Sequence, residues 1–157
     1  MIKYINTMVV FSEIPDKVTL AINLTNCWFH CDGCHSKYLW DNKGTVLDAN
    51  ELGNLIDANK GIECVCFMGE GSKNTYEINS LAAFIKSTYP ELLVALYTGR
   101  DVIPPQLYLK VFDYIKVGPY DSSKGPLNNK NTNQVFYSVE HKRIGSILHD
   151  KTYKFWR

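Results

Sequence analysis

The sequence lacks the excess of basic residues that a nucleic-acid-binding surface requires. Its 157 residues include 17 Lys and Arg against 16 Asp and Glu, so the formal net charge is only +1. A net charge this small provides no long-range attraction for a polyanion. The chain also lacks any apolar run close to the roughly 20 residues that a membrane-spanning helix needs. We therefore expect neither a nucleic acid nor a membrane as a partner.

The N-terminal segment lacks the layout of a secretory signal peptide. It reads MIKYINTMVV and does not pass from a charged region through an apolar core to a small-residue cleavage site. We therefore expect a cytoplasmic protein, in a reducing compartment where thiols stay free. The composition, with 45% hydrophobic and 21% charged residues, is typical of a folded chain. The length predicts a single domain over residues 1–157.

The five cysteines fall into two groups, and the larger group lacks a fourth member. Cys27, Cys31 and Cys34 lie within the stretch NCWFHCDGCH, with no further cysteine at a similar distance. Cys64 and Cys66 lie two residues apart, and therefore share one face of a predicted strand. Free cysteine behaves as a small buried hydrophobe, so we interpret this pair as packing residues. The group of three is the candidate metal site.

Three thiolates leave either a zinc ion or an iron–sulfur cluster one ligand short. Structural zinc takes four ligands, and His30 or His35 would supply the fourth. A [4Fe–4S] cluster normally binds four thiolates, so three would leave one iron open to an exogenous ligand. Imidazole ligation would block that iron, and under this interpretation both histidines are loop residues. The residues alone leave both kinds of metal site open.

Hydrophobic periodicity predicts strands that alternate with helices. Helices are predicted from the Asp48 capping box and around residues 78–85, and a short one at 104–111. The predicted strands cover residues 18–24, 62–68, 92–97 and 114–117, with late strands at 135–139 and 143–148. Such alternation indicates βαβ units and a parallel sheet, but too few for a closed barrel of about 250 residues. We predict an α/β fold, a partial (open) β/α barrel.

Residues suited to ligand binding follow the C-terminal ends of these predicted strands. They are the cysteine stretch, Gly69-Glu70, Tyr97-Thr98-Gly99 and residues 116–119. In parallel α/β folds, ligands bind at this edge of the sheet. The polar segment 121–133 follows the fourth of these strands and is predicted to be a long loop that contacts a partner.

The spacing Cys27-x3-Cys31-x2-Cys34 resembles the C-x3-C-x2-C motif of the radical S-adenosylmethionine (SAM) enzymes. The resemblance implies that these three thiolates hold a [4Fe–4S] cluster. It also implies that the amino and carboxylate groups of SAM chelate the fourth iron. The fold that the resemblance implies is the partial β/α barrel of radical SAM type.

Two further stretches resemble SAM-binding elements of that superfamily. Phe67-Met-Gly-Glu70 resembles its Gly-Gly-Glu element, with Met68 in place of the first glycine. This resemblance implies that Gly69 and Glu70 bind the methionine amino group. Tyr97-Thr98-Gly99 resembles a Tyr-Thr-Gly turn and implies a further contact with SAM. No catalytic residue beyond the cluster and SAM is implied.

Within the superfamily, the chain resembles the activating proteins of the anaerobic ribonucleoside-triphosphate reductase. The resemblance lies in the short length and in the stretches Tyr114–Tyr120 and Thr132–Gln134. It implies that a flavodoxin-type donor reduces the cluster, that SAM is cleaved, and that the resulting 5′-deoxyadenosyl radical takes a hydrogen from a glycine of the large reductase subunit. The alternatives are an activase of another glycyl-radical enzyme and a non-catalytic zinc-binding module.

Overall fold

The computed structural model describes residues 1–70 and 74–156, without the side chain of Glu70. In this part of the chain the two α-helices are α1 (Ala49–Asp57) and α2 (Thr75–Thr88), and short 3-10 helices cover Lys37–Leu39, Leu109–Val111 and Thr152–Phe155. The strands are β1 (Lys3–Val10), β2 (Thr19–Leu24), β3 (Thr45–Val46), β4 (Cys64–Glu70), β5 (Leu93–Thr98), β6 (Tyr114–Val117), β7 (Val135–His141) and β8 (Ser146–Asp150).

These strands form one mixed sheet in the order β3-β1-β2-β4-β5-β6-β7-β8. The four central strands β2, β4, β5 and β6 are parallel to one another. On one side β1 and β3 are added in antiparallel pairing, and on the other side β7 and β8 are. The parallel centre brings the C-terminal ends of four strands to one edge.

The predicted partial β/α barrel of radical SAM type is wrong. The chain is a mixed eight-stranded sheet, and only α1 and α2 connect its parallel strands in the described residues. The helix predicted at 104–111 reduces to the 3-10 turn Leu109–Val111. Periodicity along a strand indicates which side chains are buried, but it does not indicate whether the next strand pairs in the same or the opposite direction. Segments without a helix, residues 11–18 and 118–134, join the antiparallel pairs β1–β2 and β6–β7, and the turn 142–145 joins β7 to β8.

Most of the predictions for individual strands and helices are confirmed. The strands of the parallel centre are confirmed with small shifts of their ends, and the two late strands are confirmed as β7 and β8. Helix α1 begins as predicted, because the Asp48 carboxylate accepts a hydrogen bond from the Glu51 N–H at 2.8 Å. Strands β1 and β3 were not predicted. None of the helices in residues 1–70 and 74–156 has the length and apolar character needed to cross a membrane.

The two faces of the sheet are covered differently. On one face, alternate residues of the central strands pack against the apolar stripes of α1 and α2, as Val65 and Phe67 do with Leu52 and Ile78. On the other face, loops and the short 3-10 helix Thr152–Phe155 provide the cover in place of α-helices. Its buried residues are Ile14, Cys64, Cys66, Ala95, Tyr97, Leu127 and Phe136. Cavities therefore form on the loop-covered face.

Candidate metal centre

The loop that carries the three clustered cysteines directly follows β2 and is fixed by backbone hydrogen bonds. The Asn26 N–H donates to the Asp41 carbonyl and the Cys27 N–H to the Leu39 carbonyl, both at 3.1 Å. Leu39 is buried, so the second contact fixes the loop to the core. Asn26 and His30 both adopt positive φ, at 64° and 43°, which turns the chain sharply between the first two cysteines and before them.

The three cysteines of this loop are partly buried and form no disulfide bond. The Cys34 N–H donates to the Cys31 carbonyl at 3.1 Å, which closes a tight turn between these two residues. The Ser36 N–H donates to the Cys34 Sγ at 3.3 Å. The thiolate is the form of cysteine that binds metal.

Most of the residues predicted to bind the cofactor line one cavity of about 170 Å³. From the loop it receives Cys27 and Cys31, and from the strand ends it receives Gly69 and the stretch Tyr97–Gly99. Cys34 does not line this cavity, although its backbone bonds to Cys31. The side chain of Glu70 lies outside the described residues. Positions that are 70 residues apart in sequence therefore meet at one edge of the sheet.

Two glycines allow the backbone to pass closely at the cavity wall. Gly69 has a φ of +90°, and a Cβ atom there would lie 3.1 Å from the Leu24 carbonyl oxygen. Gly118 has a φ of +104°, and a Cβ atom there would lie 2.9 Å from the Cα of Gln134. Both positions combine a left-handed backbone with a close contact, so a side chain at either would be strained.

Aromatic rings pack around the cysteine loop. The ring of Phe29 lies against Gly99, where a Cβ atom would be 3.0 Å from the Phe29 Cδ2. His30 stacks on Trp40 with ring centroids 4.2 Å apart and an interplanar angle of 12°. His35 meets Tyr120 edge-on at 5.5 Å. Both histidines, the candidate fourth ligands of a zinc site, thus make ring contacts with neighbouring aromatic residues.

A second, larger cavity of about 850 Å³ adjoins the first, and sequence reasoning missed it. Four residues line both cavities: Met68, Tyr97, Lys116 and Gln134. The segment between β1 and β2, residues 126–128 and the C-terminal residues 154–155 line the rest. The run KYINTMVV of β1, rich in β-branched and aromatic residues, was the available signal for a strand. Recognising it would have predicted a further strand before β2.

The residues between the two cavities form a partly buried electrostatic group. The pKa of Lys116 is lowered by burial, against the opposing influence of Cys31 and other negative groups. Its ammonium lies 5.3 Å from the Tyr97 ring centroid. The Tyr97 hydroxyl donates to the Glu13 backbone carbonyl, and burial raises the pKa of Tyr97 well above its ordinary value. The pKa of the Glu13 carboxyl is also raised, because the effect of burial exceeds the opposing effect of Lys116.

The donor set suits an iron–sulfur cluster better than a single ion. Among the side chains that the structure describes, no three from His, Cys, Asp and Glu converge closely enough to hold one metal ion. In a cluster each thiolate binds its own iron, so the ligands surround the group and do not meet at a point. Thiolates are the preferred ligands of iron–sulfur clusters. The three loop cysteines therefore fit a [4Fe–4S] cluster in chemistry and would leave one of its irons without a protein ligand.

Comparison with known proteins assigns the family. Residues 17–138 match the family model for a 4Fe-4S single cluster domain. The matched segment is most of the chain and contains the cysteine loop together with all four parallel strands. Comparisons with curated proteins and with solved structures gave no match. The chain therefore belongs to the family of 4Fe-4S single cluster domains.

Proposed function

We propose that this chain is a radical SAM activase. In this proposal Cys27, Cys31 and Cys34 hold a [4Fe–4S] cluster at which SAM is reductively cleaved. The product of that cleavage generates a glycyl radical on the large subunit of an anaerobic ribonucleoside-triphosphate reductase. The observation that carries the proposal is the single cavity shared by the cysteine loop and the ends of the parallel strands β4 and β5. Membership in a 4Fe-4S family supports the choice of metal.

The open edge of the sheet has the properties that a SAM site needs. With three thiolates on the cluster, one iron is left for the amino and carboxylate groups of SAM. Gly69 exposes backbone next to the Leu24 carbonyl, and Thr98 and Gly99 continue the cavity wall from β5. When bound, the cluster supplies one electron for cleavage of the SAM sulfonium. The role of the chain is to hold SAM, orient it and exclude water.

The volumes of the two cavities support an enzyme that also receives a target. The smaller cavity, about 170 Å³, is below the usual size of an organic-ligand pocket, whereas the larger one, about 850 Å³, is within it. Because the two adjoin, together they leave room for the cofactor and for a segment of a second molecule. The identity of that molecule as the large reductase subunit, and of the donor as a flavodoxin-type protein, rests on the sequence resemblance.

The segment 121–133, predicted to contact the partner, remains the best candidate for that contact. It contains no strand or helix, and Asn128 at its centre is exposed and lines the larger cavity. Leu127 is buried in the core of the loop-covered face, and its carbonyl accepts a hydrogen bond from the Trp156 indole N–H at 3.1 Å. Tests of partner contact should therefore change Asn128 or Lys130 and leave Leu127 in place.

The decisive experiment is anaerobic reconstitution followed by a SAM cleavage assay. We expect about four iron and four sulfide per chain, as a [4Fe–4S] cluster requires. Dithionite and SAM should then yield methionine and 5′-deoxyadenosine. With the large subunit added, electron paramagnetic resonance should detect a glycyl radical. Zinc in place of iron, or an intact cluster that leaves SAM unchanged, would contradict the proposal.

The role proposed for Glu70 is tested by Glu70→Ala. The substitution removes a charged partner for the SAM amino group, and such hydrogen bonds contribute about 1.5–3 kcal/mol. We expect full iron content and a SAM affinity lower by about tenfold or more, measured by titration of the reduced cluster. Glu91→Ala is the matched control, because Glu91 is exposed and precedes β5 at the opposite edge of the sheet. Equal affinities in the two variants would show that Glu70 does not bind SAM.

A further inference from the structure

The position of Lys116 bears on how readily the cluster accepts an electron. We propose that the Lys116 ammonium stabilises the reduced state of the cluster and so raises its reduction potential. This inference rests on the proposed binding of the cluster by Cys27, Cys31 and Cys34. It assigns a function to a residue that sequence reasoning noted only as part of a strand end.

Strand geometry directs Lys116 to the cluster side of the sheet. It lies on β6 between Tyr97 of β5 and Phe136 of β7, both of which belong to the loop-covered face. Its neighbours Ile115 and Val117 are buried in the core beneath the helices, on the opposite face. Lys116 is partly buried and lines the smaller cavity together with Cys27 and Cys31. The placement therefore follows from the alternation of the strand and does not depend on a flexible loop.

The charge of Lys116 is not neutralised by a salt bridge within the described residues. None of the ion pairs formed there includes it. Lys86 shows the contrast, because its ammonium pairs with the Asp113 carboxylate at 2.5 Å. The acidic and thiol groups that influence Lys116 are Glu13, Cys66 and the two loop cysteines of the cavity. Cys66 is a buried thiol whose raised pKa keeps it neutral, so the nearby thiolates would be those on the cluster.

Reduction adds one negative charge to the cluster and its thiolates. A nearby cation stabilises the more negative state more strongly than the oxidised one, and this raises the reduction potential. Solvent and salt screen such an interaction less in a partly enclosed cavity than on an open surface. Net charge and solvent exposure are among the factors that set cluster potentials in proteins. A lysine that lies beside two ligands and forms no salt bridge among the described residues is therefore well placed to ease reduction by an external donor.

The test is a redox titration of the reconstituted full chain without SAM, followed by electron paramagnetic resonance. We expect Lys116→Gln and Lys116→Met to shift the midpoint potential to more negative values, while Lys116→Arg stays near the parent value. Lys154→Gln is the matched control, since Lys154 lines the larger cavity and not the smaller one. We expect it to leave the potential unchanged.

The possible outcomes separate this inference from the proposed function. Full iron content with equal potentials in the Gln, Met and Arg variants would overturn the inference and leave the activase proposal intact. An unchanged potential with weaker SAM binding would also overturn it, since Lys116 would then contact SAM. If the Gln variant loses iron, the midpoint potentials of the Met and Arg variants are compared, and equal values would overturn the inference. A parent chain that takes up no iron would overturn both proposals.

Discussion

The two groups of cysteines in this chain have the same side-chain chemistry and opposite surroundings. Cys27, Cys31 and Cys34 are partly buried thiols on a loop at the C-terminal end of β2. Cys64 and Cys66 are fully buried on β4, within the core of the loop-covered face. A cysteine therefore becomes a candidate ligand through its backbone setting and its place in the sheet, because Cys64 begins β4 at the edge opposite the cysteine loop.

Backbone conformation explains why only the loop group is suited to metal. In the loop, positive φ values at Asn26 and His30 break the regular alternation of side chains. On β4, Cys64 and Cys66 are fixed by the pleat and pack against Ala95 and Tyr97 of β5. Burial raises the pKa of Cys64 to about 12 and that of Cys66 well above its ordinary value. The strand thiols therefore stay protonated. The loop thiols are only partly buried and remain accessible to a metal.

The largest expected difference between the two groups is in iron content. Alanine at Cys27, Cys31 or Cys34 removes one of three cluster ligands, and we expect each variant to lose the cluster after anaerobic reconstitution. Alanine at Cys64 or Cys66 should leave the iron and sulfide content at the parent level. Iron analysis and the visible absorption spectrum measure both. Full iron retention in any one of the three loop variants would overturn the ligand set proposed here.

A second difference, smaller in consequence, concerns alkylation of the folded, cluster-free chain by iodoacetamide at pH 8. The reactive species is the thiolate, and a pKa raised to about 12 leaves about one Cys64 in 10,000 ionised at that pH. Labelling of Cys64 is expected to be slow at pH 8 because its pKa is raised, and its thiolate appears only as the pH approaches that pKa. Mass spectrometry should find label on the three loop cysteines and on Cys64 or Cys66 only after unfolding. Labelling of Cys66 in the folded chain would show that β4 opens.

The smallest expected effect is on stability. Here substitution of a strand cysteine should have a larger effect than substitution of a loop cysteine. Cys66→Ala removes a fully buried side chain and should lower the free energy of unfolding by about 1 kcal/mol. Cys34→Ala in the cluster-free chain should change it by less than about 0.5 kcal/mol, as is typical of surface positions. Urea unfolding of the cluster-free proteins gives both values. A larger loss for Cys34→Ala would mean that the loop has a structural role without metal.

The predictions from sequence succeeded where local pattern fixes local structure. The capping box at Asp48, the apolar stripe around Ile78 and the buried run 92–97 each depend on residues within a few positions of one another. The predicted packing role of Cys64 and Cys66 is confirmed for the same reason, since the period of a strand places both on one buried face. The barrel prediction failed because it required long-range pairing directions that such patterns do not contain.

The sequence by itself determined the spacing of the three loop cysteines, the membership in a 4Fe-4S family and the strand ends that meet at one edge of the sheet. Tertiary structure alone decided the antiparallel flanks, the larger cavity beneath residues 11–18 and the position of Lys116 between two cavities. The physical reason is the range of the interactions. Ligand spacing is a property of neighbouring residues, whereas a cavity and the charge inside it arise only when distant strands pair and their loops cover one face.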